Sequence, residues 1–122
     1  MNESTKPVVL CVDDEPRVLS GLMLLLRRHF EVITAASGAD GLAAIKSRRD
    51  IQVVMSDMRM PGMDGSTFLR EARKALPDAP RILLTGNADV ESAIAAVNDG
   101  QIFRFLIKPC PPETTTAALL AA

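Results

Sequence analysis

The sequence predicts one α/β domain built on an open parallel sheet with helices on both faces. Three observations carry that expectation. Strand-sized apolar runs alternate along the chain with segments whose apolar residues recur at helical spacing. Repeated strand–helix units of this length close as right-handed crossovers into a parallel sheet. The 122 residues suffice for one hydrophobic core, and a second core would be too small.

Each element follows in order. Val8-Val9-Leu10-Cys11-Val12 is apolar and largely β-branched, as in a strand buried on both faces. Pro16 suits a first helical turn, and Val18, Leu19, Leu22, Leu25 and Leu26 share the face of the helix it opens. Glu31 to Ala35 is more polar and suits an edge strand. Ser37 and Asp40 have capping-box spacing before a helix from Ala39 to Ser47. Ile51 to Met55 reads as the third strand, with Pro61-Gly62 and Gly65 marking a loop after it. Phe68, Leu69, Ala72 and Leu76 line a third helix, which Leu76-Pro77 ends. Ile82-Leu83-Leu84 is the fourth strand and Ile102 to Ile107 the fifth, separated by a helix from Val90 to Asn98 that Gly100 can close in the left-handed conformation. A last helix begins near Pro112-Glu113, and its Ala/Leu pattern is still running at Ala122. The expectation is therefore a domain over residues 1–122, with its core from about 6 to 122 and its last helix truncated from a longer chain.

Composition narrows the function classes. Fourteen basic residues against fifteen acidic ones leave a net charge of −1 and no surplus with which to hold a polyanion, so neither nucleic acid nor a membrane surface is an expected partner. Arg27-Arg28 and Arg48-Arg49 read as solvated helix faces. No apolar run approaches the roughly 18 residues of a spanning helix, and the polar start lacks a signal-peptide core, which points to a cytoplasmic protein. Cys11 and Cys110 are too few for a disulfide framework and lack metal-ligand spacing, so both read as free thiols. His29 reads as a helix-end surface residue, and Met55, Met58, Met60 and Met63 as packing.

The informative polar residues directly follow the apolar runs. Val12 is followed by Asp13-Asp14-Glu15, Met55 by Ser56-Asp57, Leu84 by Thr85 and Ile107 by Lys108. In an open parallel sheet all carboxyl ends lie along one edge, and ligands bind there where the strand order reverses. Three carboxylates gathered in that way repel one another unless a cation neutralises them. Oxygen donors without His or Cys favour Mg²⁺ over zinc. A lysine and a hydroxyl facing a metal-bound carboxylate are the cations and donors that phosphoryl transfer requires. A carboxylate so placed can itself be the nucleophile, and Asp57, alone at its strand end, is better placed than the adjacent pair Asp13 and Asp14. Taken singly, each of these residues also reads as a strand-end turn or cap.

These residues resemble the receiver domains of two-component response regulators. The likeness covers Lys6 to Ala122 and rests on Val12-Asp13-Asp14-Glu15, on Asp57-Met58-Arg59-Met60-Pro61-Gly62-Met63-Asp64-Gly65, on Thr85-Gly86 and on Lys108-Pro109. It implies a flavodoxin-like (βα)5 three-layer sandwich with a parallel five-stranded sheet of order 2-1-3-4-5. It implies phosphorylation of Asp57 by a sensor histidine kinase. Asp13, Asp14 and Asp57 with the backbone carbonyl of Arg59 would hold Mg²⁺, for which Mn²⁺ can substitute. Thr85 and Lys108 would bind the phosphoryl group. Thr85 and Phe105 would form the switch, although Phe105 reads equally as a strand packing residue. Arg59 and Asn87 would tune phosphate lifetime. The switched surface in this family is the face of helix 4, strand 5 and helix 5, which acts on an output domain or downstream effector and is available for homodimerisation. The stretch from Val97 to Pro109 resembles receivers joined to HD-type cyclic-di-GMP phosphodiesterases and to some DNA-binding regulators. A stand-alone single-domain regulator is the alternative. An aspartyl-phosphate phosphatase is disfavoured, because Arg59 stands where such enzymes place a second Asp. A receiver-shaped module without phosphorylation is disfavoured by the intact Asp57, Thr85 and Lys108.

Overall fold

The computed structural model describes residues 6–86 together with 90–91, 94–95, 104–107 and 119. Five parallel strands form one sheet: β1 (Val8–Val12), β2 (Glu31–Ala35), β3 (Ile51–Asp57), β4 (Arg81–Thr85) and β5 (Arg104–Ile107), in the spatial order β2-β1-β3-β4-β5. This is the order expected of a flavodoxin-like sheet. Helices α1 (Pro16–Leu26), α2 (Gly38–Ser47) and α3 (Gly65–Ala75) make the crossovers between the first four strands. Of the two later helices read from the sequence, Val90, Glu91, Ile94, Ala95 and Leu119 are helical, and the rest, with Gly100, Cys110 and Pro112, lie outside the described residues.

The sheet separates two apolar layers by strand alternation. Val8, Leu10, Val12 and Val54 pack with Ile45 of α2 and with Phe68, Leu69 and Ala72 of α3. Val9, Cys11, Val53, Met55, Ile82 and Leu84 pack on the other side with Leu26 of α1 and with Leu119. All five β1 residues are buried, as a central strand covered on both faces requires, whereas in β2 only Ala35 is buried, as suits an edge strand. Burial pushes the Cys11 thiol up to about 12, so it stays protonated and serves as packing. The methionines pack as expected: Met55 and Met60 are buried, and Met58 and Met63 lie against the α2–α3 layer.

Local chemistry sets the helix starts. Pro16 opens α1 behind an extended Glu15 that makes no side-chain cap. Ser37 caps α2 by accepting from the Asp40 N–H at 3.0 Å, and Asp64 caps α3 by accepting from the Thr67 N–H at 2.8 Å.

Several sequence readings are corrected. Strand β3 runs on through Ser56 and Asp57, because Ser56 pairs with Val12 and Asp57 with Leu84 whatever their polarity. Thr85 is likewise the last residue of β4 rather than the first beyond it. Gly65 is not a loop residue but the first residue of α3. Arg48 is solvated as read, but it is the C-cap of α2 rather than part of the helix face, and it pairs with Asp50 and Glu31.

Candidate functional site

The strand order reverses between β1 and β3, since the chain leaves β1 toward β2 on one side and returns to β3 on the other. The carboxyl ends of those two strands carry Asp13 and Asp57. Asp13, Asp14 and Asp57 each bring a carboxylate oxygen within 4.8 Å of the others, and no other acidic, His or Cys cluster of this kind occurs among the described residues. Asp13 and Asp57 are buried and Asp14 is exposed, so the cluster opens to solvent on the Asp14 side.

The backbone holds each of these groups in place. The Asp13 N–H donates to the Ala35 carbonyl at 3.1 Å, and Asp13 Oδ1 accepts from the Glu15 N–H at 2.9 Å, a local turn that turns the chain into α1. Beyond Asp57, the Met58 N–H donates to the Leu84 carbonyl at 2.8 Å, and the Met58 carbonyl accepts from the Gly65 N–H at 2.8 Å. The loop 58–64 thus leaves and returns to the end of β3, and Gly62 takes a φ of 83° within it. Thr85 is fully buried at the end of β4, with its hydroxyl donating to the Gly86 carbonyl at 3.2 Å. A Cβ added at Gly86 would meet nothing within 4 Å, so space beside Thr85 is open. Arg59 is exposed and, with Met58, Met60, Pro61 and Asp64, lines an open hollow of about 460 Å³.

Four of the sequence-selected residues, Asp13, Asp14, Asp57 and Thr85, therefore end on one edge, on or just after β1, β3 and β4. Phe105 lies on β5 and pairs with Leu83. Lys108 and Asn87 lie outside the described residues. Two residues of the site were not singled out for chemistry in the sequence. Ser56 is fully buried and its hydroxyl donates to the Asp57 carbonyl at 2.9 Å. A Cβ at Gly65 would overlap that same carbonyl oxygen. The signal for the first was a hydroxyl in an otherwise apolar strand, and for the second a glycine at a strand–loop–helix junction.

The donor set fits a hard divalent cation: three carboxylates at mutual contact range, oxygen donors only, and an open side for water. Two of these carboxylates also have a buried oxygen that accepts no hydrogen bond, Asp13 Oδ2 and Asp57 Oδ1.

The response regulator receiver domain model matches residues 9–120. The chain belongs to that family. The receiver is 40% identical over 105 residues to the hydrogenase transcriptional regulatory protein HoxA of Cupriavidus necator, a match covering 86% of this chain and 22% of that protein. The chain thus spans about a fifth of the length of this curated relative. Among solved structures, the adenylate cyclase from Rhodopirellula baltica superposes with a TM-score of 0.92 at 44% identity, covering 95% of this chain and 86% of that one. The signal receiver domain of an HD domain-containing protein from Pseudomonas fluorescens Pf-5 superposes with a TM-score of 0.88 at 33% identity, covering 96% and 94%. No helix among the described residues is long and apolar enough to cross a membrane.

Proposed function

We propose that this receiver is a phosphorylation switch in which Asp57 accepts a phosphoryl group from the phosphohistidine of a sensor histidine kinase. The observation that carries the reading is the convergence of the Asp13, Asp14 and Asp57 carboxylates within 4.8 Å at the strand-order reversal. In the transfer, an Asp57 carboxylate oxygen forms the new bond to phosphorus as the P–N bond to the kinase imidazole breaks. The imidazole leaves with the electron pair and is protonated. Asp13, Asp14 and Asp57, with the Arg59 carbonyl, would hold Mg²⁺, or Mn²⁺ in its place. A bound cation supplies the charge neutralisation that lets an anionic phosphoryl group approach an anionic carboxylate.

The chain's own residues then orient and read the product. Burial of Asp57 limits water to the open Asp14 side. The Thr85 hydroxyl exchanges its Gly86 carbonyl for a phosphoryl oxygen, and Lys108 pairs with another. Thr85 at the end of β4 and Phe105 on neighbouring β5 then act as the switch pair. Arg59 and Asn87 flank the phosphoryl group and tune its lifetime. The reshaped face of the fourth helix, β5 and the last helix then controls an output domain or effector and serves for homodimerisation.

We read residues 1–122 as the N-terminal receiver of a longer cytoplasmic regulator, because the relatives it matches carry much more chain. Their printed names span a transcriptional regulator, an adenylate cyclase and an HD domain-containing protein, so the receiver is compatible with more than one output.

The test is labelling by acetyl phosphate, followed by intact mass. The expected result is one phosphoryl group per chain, dependent on Mg²⁺, and none for Asp57→Asn. A folded wild-type protein that gains no mass and binds no beryllofluoride mimic overturns the reading.

A further inference from the structure

The Asp57 main chain is held from two sides by groups that take no part in the chemistry just described. By strand alternation Ser56 faces the α3 layer with Val54. Its side chain is fully buried there, and its hydroxyl donates to the Asp57 carbonyl oxygen at 2.9 Å. From the α3 side the bare Cα of Gly65 comes so close to that same oxygen that a Cβ would overlap it, and would stand 2.9 Å from the Asp57 carbonyl carbon and from Leu83 Cδ1. The Met58 N–H, on the same peptide unit as the Asp57 carbonyl, donates to the Leu84 carbonyl at 2.8 Å, and the Gly65 N–H donating to the Met58 carbonyl at 2.8 Å closes the next peptide. A hydroxyl placed in an apolar layer costs desolvation unless it is bonded, and an alanine or valine would pack there without that requirement.

We infer that Ser56 is a positioning residue for the Asp57 reaction. Its buried hydroxyl, opposed by the bare Cα of Gly65, fixes the Asp57 carbonyl and so the direction in which Asp57 presents its carboxylate to Asp13 and Asp14. The inference rests on the reading of Asp57 as phosphoacceptor. The clamped carbonyl is bonded to the Cα from which the carboxylate projects, so a displacement of that peptide is passed on to the base of the side chain. Loss of the groups that orient a metal ligand, or misplacement of a reacting group, costs about tenfold or more in affinity or rate.

The experiment compares wild type with Ser56→Ala, Ser56→Thr and Ser56→Val. The last two have the same shape and differ in the hydroxyl. Mg²⁺ affinity is read by calorimetry, the initial rate of acetyl phosphate labelling by intact mass, and folding by thermal melting. Ser56→Ala and Ser56→Val are expected to lose about tenfold in labelling rate and several-fold in Mg²⁺ affinity, with Ser56→Thr recovering most of both. Wild-type values in folded Ser56→Ala overturn the inference, as does equal impairment of Ser56→Thr and Ser56→Val. If both β-branched variants lose their cooperative melt, Ser56→Ala decides alone. A silent wild-type protein overturns the phosphoacceptor reading and this inference together, and is distinct from an active wild type with an equally active Ser56→Ala.

Discussion

The two ends of the sheet solve opposite electrostatic problems. At the carboxyl end three carboxylates of one sign converge, and Asp13 and Asp57 are 1% and 4% exposed. At the amino end opposite signs meet in solvent: Arg48 holds Asp50 through Nε and Nη2 at 2.9 Å each and reaches Glu31 at 3.0 Å, with the side chains 37–58% exposed. The second arrangement is easy to form and adds little, because water already solvates each partner. The first gathers like charges where burial lowers the dielectric, so it needs opposite charge or a cation to offset their repulsion. Two apolar layers on either side of β1 and β3 hold the fold, so neither end is needed for it. A buried cluster of like charges marks a place where charge is used, and the carboxyl end is therefore where ligand and substitution effects should concentrate.

The largest effect is expected from Gly65→Ala. The added methyl overlaps the Asp57 carbonyl oxygen and crowds Leu83, and neither backbone nor a buried Leu can move away cheaply. Stability should fall by about 3 kcal/mol by overpacking, measured by urea unfolding, with acetyl phosphate labelling falling alongside. A Gly62→Ala control separates the close approach from backbone strain, because Gly62 has a positive φ but open space around it. Equal losses in the two variants would make strain, not contact, the cause.

Next comes the cation. Mg²⁺ at a hundred times its dissociation constant should stabilise the wild type by about 2.7 kcal/mol, and Asp57→Asn should lose most of that gain. The same addition should leave Asp50→Asn with the full gain, because Asp50 lies at the other end of β3. A Mg²⁺-dependent rise in Tm that survives Asp57→Asn would place the cation elsewhere.

The contrast between the ends was partly legible in the sequence. Asp13, Asp14, Asp57 and Thr85 announce themselves because each follows an apolar run, and a parallel sheet turns that position into a shared edge. The alternation of runs likewise gives the strands and their layers. Gly65 misleads because a glycine after Pro61-Gly62 reads as a turn, whereas its role comes from a tertiary approach to a carbonyl eight positions back. Ser56 shows only as a hydroxyl in an apolar strand, and its role stays hidden because its partner is main chain, which no sequence pattern displays. The pairing of Arg48 with Glu31 is hidden because Glu31 stands 17 positions away, and only the β1–β2 and β1–β3 pairings bring the start of β2 and the approach to β3 to one end.

The smallest effect belongs to the amino end, and its pH dependence has a definite sign. The hydrogen bonds from Arg48 hold the Asp50 carboxyl below the usual carboxylate range. A group whose pKa is lower in the folded state stabilises the fold above its unfolded pKa of about 3.9 and loses that contribution as pH falls through the folded value. The Tm difference between wild type and Asp50→Asn should therefore be small at neutral pH and shrink further from about pH 5 to about pH 3. It should also shrink when salt is raised to 1 M, where the Debye length falls to about 3 Å. Arg48→Ala should behave in the same way, since it removes the shared partner of both acids. If either substitution lowered stability as much as Gly65→Ala, the amino end would be a structural clamp, and the division between an end that is used and an end that is merely paired would fail.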